Sequence, residues 1–198
     1  MKLVCLGDSF TVGPMVDPGR RWTSLLQEQT SADILNRGIS GDTTSGMLCR
    51  LLPDCVGERP DRALLIGGAN DLICCGSTDI VKNNFMAMIH QLFHHGIKPV
   101  IATPIPCVPE MISPLWQPVC DFRRLNEQLA SLNEWSKGFS EAFLCNRLDL
   151  FAPMMQRLAD PGDLQTGRSL YLDGLHLSEA GHAEIAAIML PQLERILR

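Results

Sequence analysis

The chain has 198 residues, 45% of them hydrophobic and 20% charged, with 17 Lys and Arg against 22 Asp and Glu for a formal net charge of −5. These values suit one soluble globular domain over 1–198 and argue against disorder. The acidic balance without any basic block would repel a phosphate backbone, and no apolar run approaches the roughly 18–20 residues that span a bilayer, so neither nucleic acid nor integral membrane association is expected.

Met1 to Leu6 lacks the basic-then-apolar layout of a signal peptide, which makes a cytoplasmic protein the expectation. The run Leu3 to Leu6 reads as a first strand, followed at once by Gly7-Asp8-Ser9-Phe10. Trp22 to Gln29 reads as a helix, Asp33 to Asn36 as a short strand, and Ser45 to Leu52 as a helix with Asp42 as its cap. Arg62 to Ile66 is a strand ending in Gly67-Gly68. Val81, Phe85, Met88 and Leu92 then recur at spacings of four, three and four, a helical stripe that Gly96 should close. Pro99 to Thr103 is the next strand.

From Pro104 to Pro118 the density of proline forbids a helix or a central strand and predicts an ordered loop. Phe122 to Ser136 reads as helix and Ala142 to Leu148 as strand. Ser178 should cap a last helix whose Ile185, Ile188, Met189, Leu193 and Ile196 share one apolar face. No internal repeat or low-complexity tract interrupts the pattern.

Five strands alternating with helices predict an α/β fold, a three-layer α/β/α sandwich around a mainly parallel five-stranded sheet of flavodoxin-like kind. Sites in such sheets form beyond the carboxyl ends of the strands. Ser9, Gly41, Gly68 with Asn70, and the proline-rich loop follow strands one to four, so residues remote in sequence should converge on one edge.

Four motifs lie along the chain: Gly-Asp-Ser at 7–9, Gly41 within Asn36 to Thr43, Gly-x-Asn-Asp at 68–71, and Asp-x-x-His at 173–176. In this order and spacing the sequence resembles the GDSL esterases and lipases of the SGNH-hydrolase superfamily across its whole length. The stretch Gly38 to Thr44 is especially similar to the bacterial acylhydrolase branch with thioesterase and lysophospholipase members. Phe10 stands where the family often has leucine, a departure that should touch only local packing.

A serine hydroxyl is a weak nucleophile at neutral pH and needs a base, and a neutral imidazole, with an ordinary pKa of about 6.5, is suited to that work. The candidates are therefore Ser9 as nucleophile, His176 as base and Asp173, three residues earlier, as the carboxylate that orients the ring. The resemblance implies the same roles. The attacked carbonyl would become an oxyanion, and the expected donors are the backbone N–H groups of Ser9 and Gly41 and the side-chain amide of Asn70. Asp8 and Asp71 are expected to brace their loops.

Eight cysteines without a Cys-x-x-Cys pair read as reduced thiols used as small core hydrophobes, with Cys74-Cys75 as ordinary loop thiols. His90, His94 and His95 belong to the end of an amphipathic helix. His182 could join Asp173 on a metal only with a third ligand that the sequence does not supply, so no metal and no cofactor is expected. Gly-x-Ser-x-Gly, Walker and Gly-x-Gly-x-x-Gly signatures are missing.

The expected activity is hydrolysis of a small-molecule carboxylic ester or thioester through an acyl-enzyme on Ser9. The alternative is a non-catalytic flavodoxin-like module whose glycine-rich turns hold a phosphate or sugar, which leaves Asp-x-x-His unexplained. Acylated sugars, lysophospholipids, aryl esters and acyl thioesters all remain open as substrates. Short to medium acyl chains are the expected preference, with the Pro104 to Pro118 loop as pocket wall, dimer contact or packed surface. Arg20, Arg21, Arg123 and Arg124 read as solvated charge, and the sequence leaves oligomeric state open.

Overall fold

Five parallel strands form the spine of the computed structural model, which describes residues 1–159 and 169–197. They are β1 (Lys2–Gly7), β2 (Asp33–Gly38), β3 (Arg62–Ile66), β4 (Lys98–Ala102) and β5 (Asn146–Leu148), paired in the order β2-β1-β3-β4-β5. Their side chains alternate between two cores, as a pleated strand buried on both faces requires. Val4 and Leu6 of β1, Ala63 and Leu65 of β3, and Ile101 of β4 enter one apolar cluster. Leu3, Cys5, Leu64, Ile66, Val100 and Ala102 enter the other.

Eight α-helices lie wholly within the described residues: α1 (Ser9–Val12), α2 (Trp22–Gln29), α3 (Thr44–Asp54), α4 (Ala69–Cys75), α5 (Thr78–His94), α6 (Phe122–Phe143), α7 (Phe151–Ala159) and α8 (Glu179–Leu197). The first face is covered by α3, α5 and α6 through Met47, Leu51, Val81, Phe85, Met88, Leu92, Leu125 and Leu129. The opposite face is covered by α2, α7 and α8 through Trp22, Leu26, Met154, Ile185, Met189 and Leu193. Each such fully buried Leu, Met or Ile stabilises the fold by about 1.5–3 kcal/mol relative to exposure. No described helix is long and apolar enough to cross a membrane.

Several boundaries differ from the sequence reading. The strand expected over Ala142 to Leu148 is only Asn146–Leu148, because α6 runs on to Phe143. There Phe143 stacks on Phe139 at 4.3 Å and meets His90 edge-on at 5.4 Å, contacts that reward the further helix past Ser136. Cys74 and Cys75 are not loop residues but end α4. Asp42 does not cap α3. Thr43 does, accepting from Gly46 N–H at 3.2 Å, while Asp42 pairs with Arg50 Nε at 2.7 Å. Gly96 at φ +71° follows α5, and Ser178 Oγ accepts from Gly181 N–H at 3.2 Å ahead of α8, both as the sequence predicts. The thiols of Cys5, Cys55 and Cys107 are buried, whereas Cys49, Cys74 and Cys75 are exposed, so the core role expected for the cysteines holds for only part of the set.

The strand order places a switch point between β1 and β3, since the chain leaves β1 toward β2 on one side and then crosses to β3 on the other. Gly7 is level with Gly38 of β2 and Ile66 of β3, so the loops leaving these three strands start at one height.

Candidate active site

Ser9 begins α1, a single turn directly after β1. Asp8 caps that turn with its carboxylate on Phe10 N–H at 2.9 Å, and its carbonyl accepts from Thr11 and Val12 N–H. Gly38 lets β2 pass close to this turn, because a Cβ there would lie 2.2 Å from Val12 N. Asn36 of β2 donates its amide to Thr11 O at 2.5 Å, and Trp22 of α2 donates Nε1–H to Phe10 O at 2.9 Å. The serine turn is therefore fixed from β2 and α2 together.

Gly41 sits at φ +78° in the turn after β2, where an added Cβ would meet nothing. The left-handed backbone angle itself favours glycine at this position. Asn70, in the first turn of α4, donates its side-chain amide to Asp42 O at 2.8 Å. Its neighbour Asp71 is buried and takes Thr44 N–H at 2.9 Å and Thr44 Oγ–H at 2.6 Å, which locks α4 to the start of α3. Bracing is what Asp71 does, as expected. The N–H groups of Ser9 and Gly41 meet no acceptor among the described residues.

Asp173 and His176 occupy the tip of a short antiparallel excursion closed by the Tyr171 and Leu177 bridge and by Leu172 N–H on His176 O at 2.8 Å. Asp173 Oδ2 lies 2.8 Å from His176 Nδ1, while its Oδ1 accepts from Leu175 N–H at 2.9 Å and His176 N–H at 2.8 Å. Burial works against the charged form, yet the bonds from the His176 ring and from the two backbone N–H groups hold this carboxyl below the usual range.

Sequence reasoning missed two supports of this tip. Gly174, at φ +88°, presses against the proline-rich loop, where a Cβ would stand 2.5 Å from Val108 O, and its carbonyl accepts from Val108 N–H at 2.8 Å. Tyr171 donates its hydroxyl to Pro106 O at 2.6 Å. The Asp-Gly pair at 173–174 was the available signal for a tight turn; nothing in the sequence pointed to Tyr171.

Ser9, Gly41, Asn70, Asp173 and His176 all line one cavity of about 440 Å³. Its lining also includes the polar Asp8 and Ser40 and the apolar Ile73, Ile105, Ile112, Trp116, Leu125 and Leu129. The loop from Pro104 to Pro118 thus contributes to the pocket wall, as do α4 and α6. Phe10 also borders the cavity while packing on Trp22 at 5.8 Å between centroids. His182 stands apart, buried, with Nδ1 accepting from Trp22 N–H at 3.3 Å, and burial together with nearby Arg21 pushes its pKa down to about 4.

Residues 5–184 match the model of the GDSL-like lipase/acylhydrolase family. The chain belongs to this family. Relatives of the GDSL chain include the uncharacterised lipoprotein YqeF of Bacillus subtilis, 31% identical over 119 residues that cover 54% of this chain and 49% of YqeF. An arylesterase of Vibrio mimicus is 31% identical over 105 residues, 50% of this chain and 52% of that protein. The chain therefore spans about half the length of the curated relatives it matches. Among solved structures, a G-D-S-L lipolytic family member from Veillonella parvula superposes with a TM-score of 0.80 at 20% identity, covering 98% of this chain and 99% of that one. The lipase/acylhydrolase from Enterococcus faecalis gives 0.76 at 23% identity, covering 98% and 96%. These likenesses show the fold.

Proposed function

We propose that this protein is a serine hydrolase of carboxylic esters or thioesters. The observation that carries the reading is the 2.8 Å contact between Asp173 Oδ2 and His176 Nδ1 on the wall of a cavity that Ser9 also lines. With Nδ1–H held by Asp173, the proton-accepting lone pair of His176 is on Nε2, the tautomer a general base needs. In this reading His176 takes the proton of Ser9 as its oxygen attacks the carbonyl, then returns it to the departing alcohol or thiol. Water, activated by the same imidazole, releases the acid and frees Ser9.

The oxyanion would be met by the free N–H groups of Ser9 and Gly41 and by Asn70. One amide hydrogen of Asn70 is committed to Asp42 O, which fixes the orientation of the group and leaves its second hydrogen for the oxyanion. The apolar lining from the proline-rich loop, α4 and α6 would take the acyl chain. At about 440 Å³ the cavity lies toward the small end of ligand sites, which run from about 300 to 1,000 Å³, and this supports short to medium acyl groups.

A p-nitrophenyl ester series from acetate to palmitate, run on the wild type and Ser9→Ala, tests the proposal. The expected result is hydrolysis that peaks before the long chains and falls by at least about 10³-fold in the variant. Activity that survives the substitution would remove Ser9 from the mechanism, and a rate that climbs steadily to palmitate would overturn the chain-length reading.

A further inference from the structure

We infer that Asn126 of α6 is a positioning residue for His176: it fixes the segment 106–108, and that segment sets where the Asp173 and His176 tip stands at the cavity. The inference rests on the serine-hydrolase reading of the site. Its starting point is that the Asp173 and His176 contact is closed within the tip, so it fixes the ring relative to Asp173 and not relative to Ser9. A group outside the tip must hold the imidazole within reach of the serine. The tolerance is small, since a misplacement of about 1 Å can cost about 10²-fold in rate.

The segment 106–108 bonds alternately to two neighbours. Pro106 O accepts from the Tyr171 hydroxyl at 2.6 Å and Val108 N–H donates to Gly174 O at 2.8 Å, both reaching the excursion that carries the tip. Cys107, between them, turns to α6: its N–H donates to Asn126 Oδ1 at 2.9 Å, and its carbonyl accepts from Asn126 Nδ2 at 2.9 Å. One side-chain amide thus pairs with both backbone groups of one residue, as a neighbouring strand would. The Cys107 thiol, 4% exposed, also meets the Phe122 carbonyl at 3.4 Å, one turn earlier on the same helix. Prolines at 104, 106 and 109 have no N–H, so this stretch cannot be knitted by a ladder of its own and depends on such partners. Asn126, Leu129 and Asn133 recur at spacings of three and four and share one face of α6. Leu129 lines the cavity, and Asn133 Oδ1 accepts from Thr103 Oγ1–H at 2.8 Å where the chain leaves β4. That face therefore grips the chain at 103 and again at 107, and the tip hangs from 106 and 108.

The test compares Asn126→Ala, Tyr171→Phe and the double variant with the wild type in hydrolysis of p-nitrophenyl acetate, whose acyl group is too short to need the apolar lining. Asn126→Ala should lower kcat by at least about tenfold and leave KM within about threefold. The acid limb of its kcat–pH profile should stay in place, because the Asp173 contact to His176 is internal to the tip and moves with it. Both single substitutions loosen the same segment, so the double variant should lose about as much as the slower single variant and not the product of the two losses. Thermal melts place each protein relative to the assay temperature, so that unfolded chain is not counted as slow enzyme. Should the alanine variant not fold, Asn126→Asp takes its place in the cycle; it keeps an acceptor for Cys107 N–H and sets a second acceptor against the Cys107 carbonyl.

A smaller fall in kcat, whatever the change in melting temperature, would make Asn126 a purely structural residue and overturn the inference. Losses that multiply in the double variant would overturn it too, because Asn126 would then act by a route other than 106–108. A displaced acid limb has the same force: the ring would have lost Asp173 instead of moving as a unit with it. Fluorophosphonate labelling of Ser9 keeps the two possible failures apart. Asn126→Ala that labels as fast as a reactive wild type overturns this inference and leaves the hydrolase reading standing. A wild type that does not label overturns that reading and the inference with it.

Discussion

The two sides of the cavity are built differently. The Ser9 side is embedded: its turn is held by β2 and α2, Arg50 of α3 donates to Gly7 O just before it, and its acids Asp8 and Asp71 are buried. The His176 side is a short tip with the Asp173 and His176 side chains 47% and 30% exposed, secured by its own backbone and by two bonds to the proline-rich loop. The carboxyls record this difference. Burial raises Asp8 and hydrogen bonds lower Asp173, so on acidification Asp8 is neutralised first and the Asp173 contact to His176 persists. The exposed side keeps its charge by local donors, which lets a loop do work that the core does elsewhere.

The largest effect expected from breaking the exposed side is that of Asp173→Asn. Asn keeps an oxygen for the N–H groups of Leu175 and His176 but presents an NH₂ to Nδ1, which forces the ring into the tautomer that cannot accept from Ser9. Ester hydrolysis should drop by about 10²–10⁴-fold with little change in melting temperature. A loss below tenfold would mean that the tip does not set the histidine tautomer.

On the embedded side, Asn70→Ala should lower kcat by about 10²–10³-fold and leave KM within a few-fold, since the amide is asked to act when the oxyanion forms. The comparison sharpens with Asn70→Asp, which keeps the shape but offers an acceptor where a donor is required. It should be at least as slow as the alanine variant. A rise in KM without a fall in kcat would make Asn70 a substrate-binding group and remove it from the oxyanion site.

The embedded side was also the more legible in sequence. Apolar runs ending in Gly7-Asp8-Ser9 and in Gly67-Gly68 mark strand exits, and a parallel sheet with its switch point between β1 and β3 brings such exits together. The joins among these loops were not legible, because they depend on which side chain faces which backbone group. Asp42 read as a helix cap from composition alone, yet it pairs with Arg50 and offers its carbonyl to Asn70. On the exposed side the Asp-x-x-His spacing announced the pair. The docking of Gly174 on Val108 and of Tyr171 on Pro106 spans more than sixty residues of chain and leaves no local pattern. The overrun of α6 to Phe143 differs: Trp135, Phe139 and Phe143 recur at the helical spacing of four, a pattern present in the sequence, and only the contact of Phe143 with His90 is remote.

The smallest effect concerns how far the exposed tip leans on the helix behind it. Ser178, just past His176, caps α8 through Gly181 N–H and also donates to Ser169 O at 2.6 Å. Ser178→Ala should cost about 1 kcal/mol, the usual value of such a cap. For a chain of this size that is a fall of about 2–4 °C in melting temperature. If the tip is held by its internal bonds and by the proline-rich loop, ester hydrolysis at 25 °C should stay within about twofold of the wild type, because a 1 kcal/mol cost to global stability leaves nearly all molecules folded. A tenfold loss of activity with the same small change in melting temperature would show that the position of His176 is set from α8, and that the exposed side is anchored to the core as firmly as the side that carries Ser9.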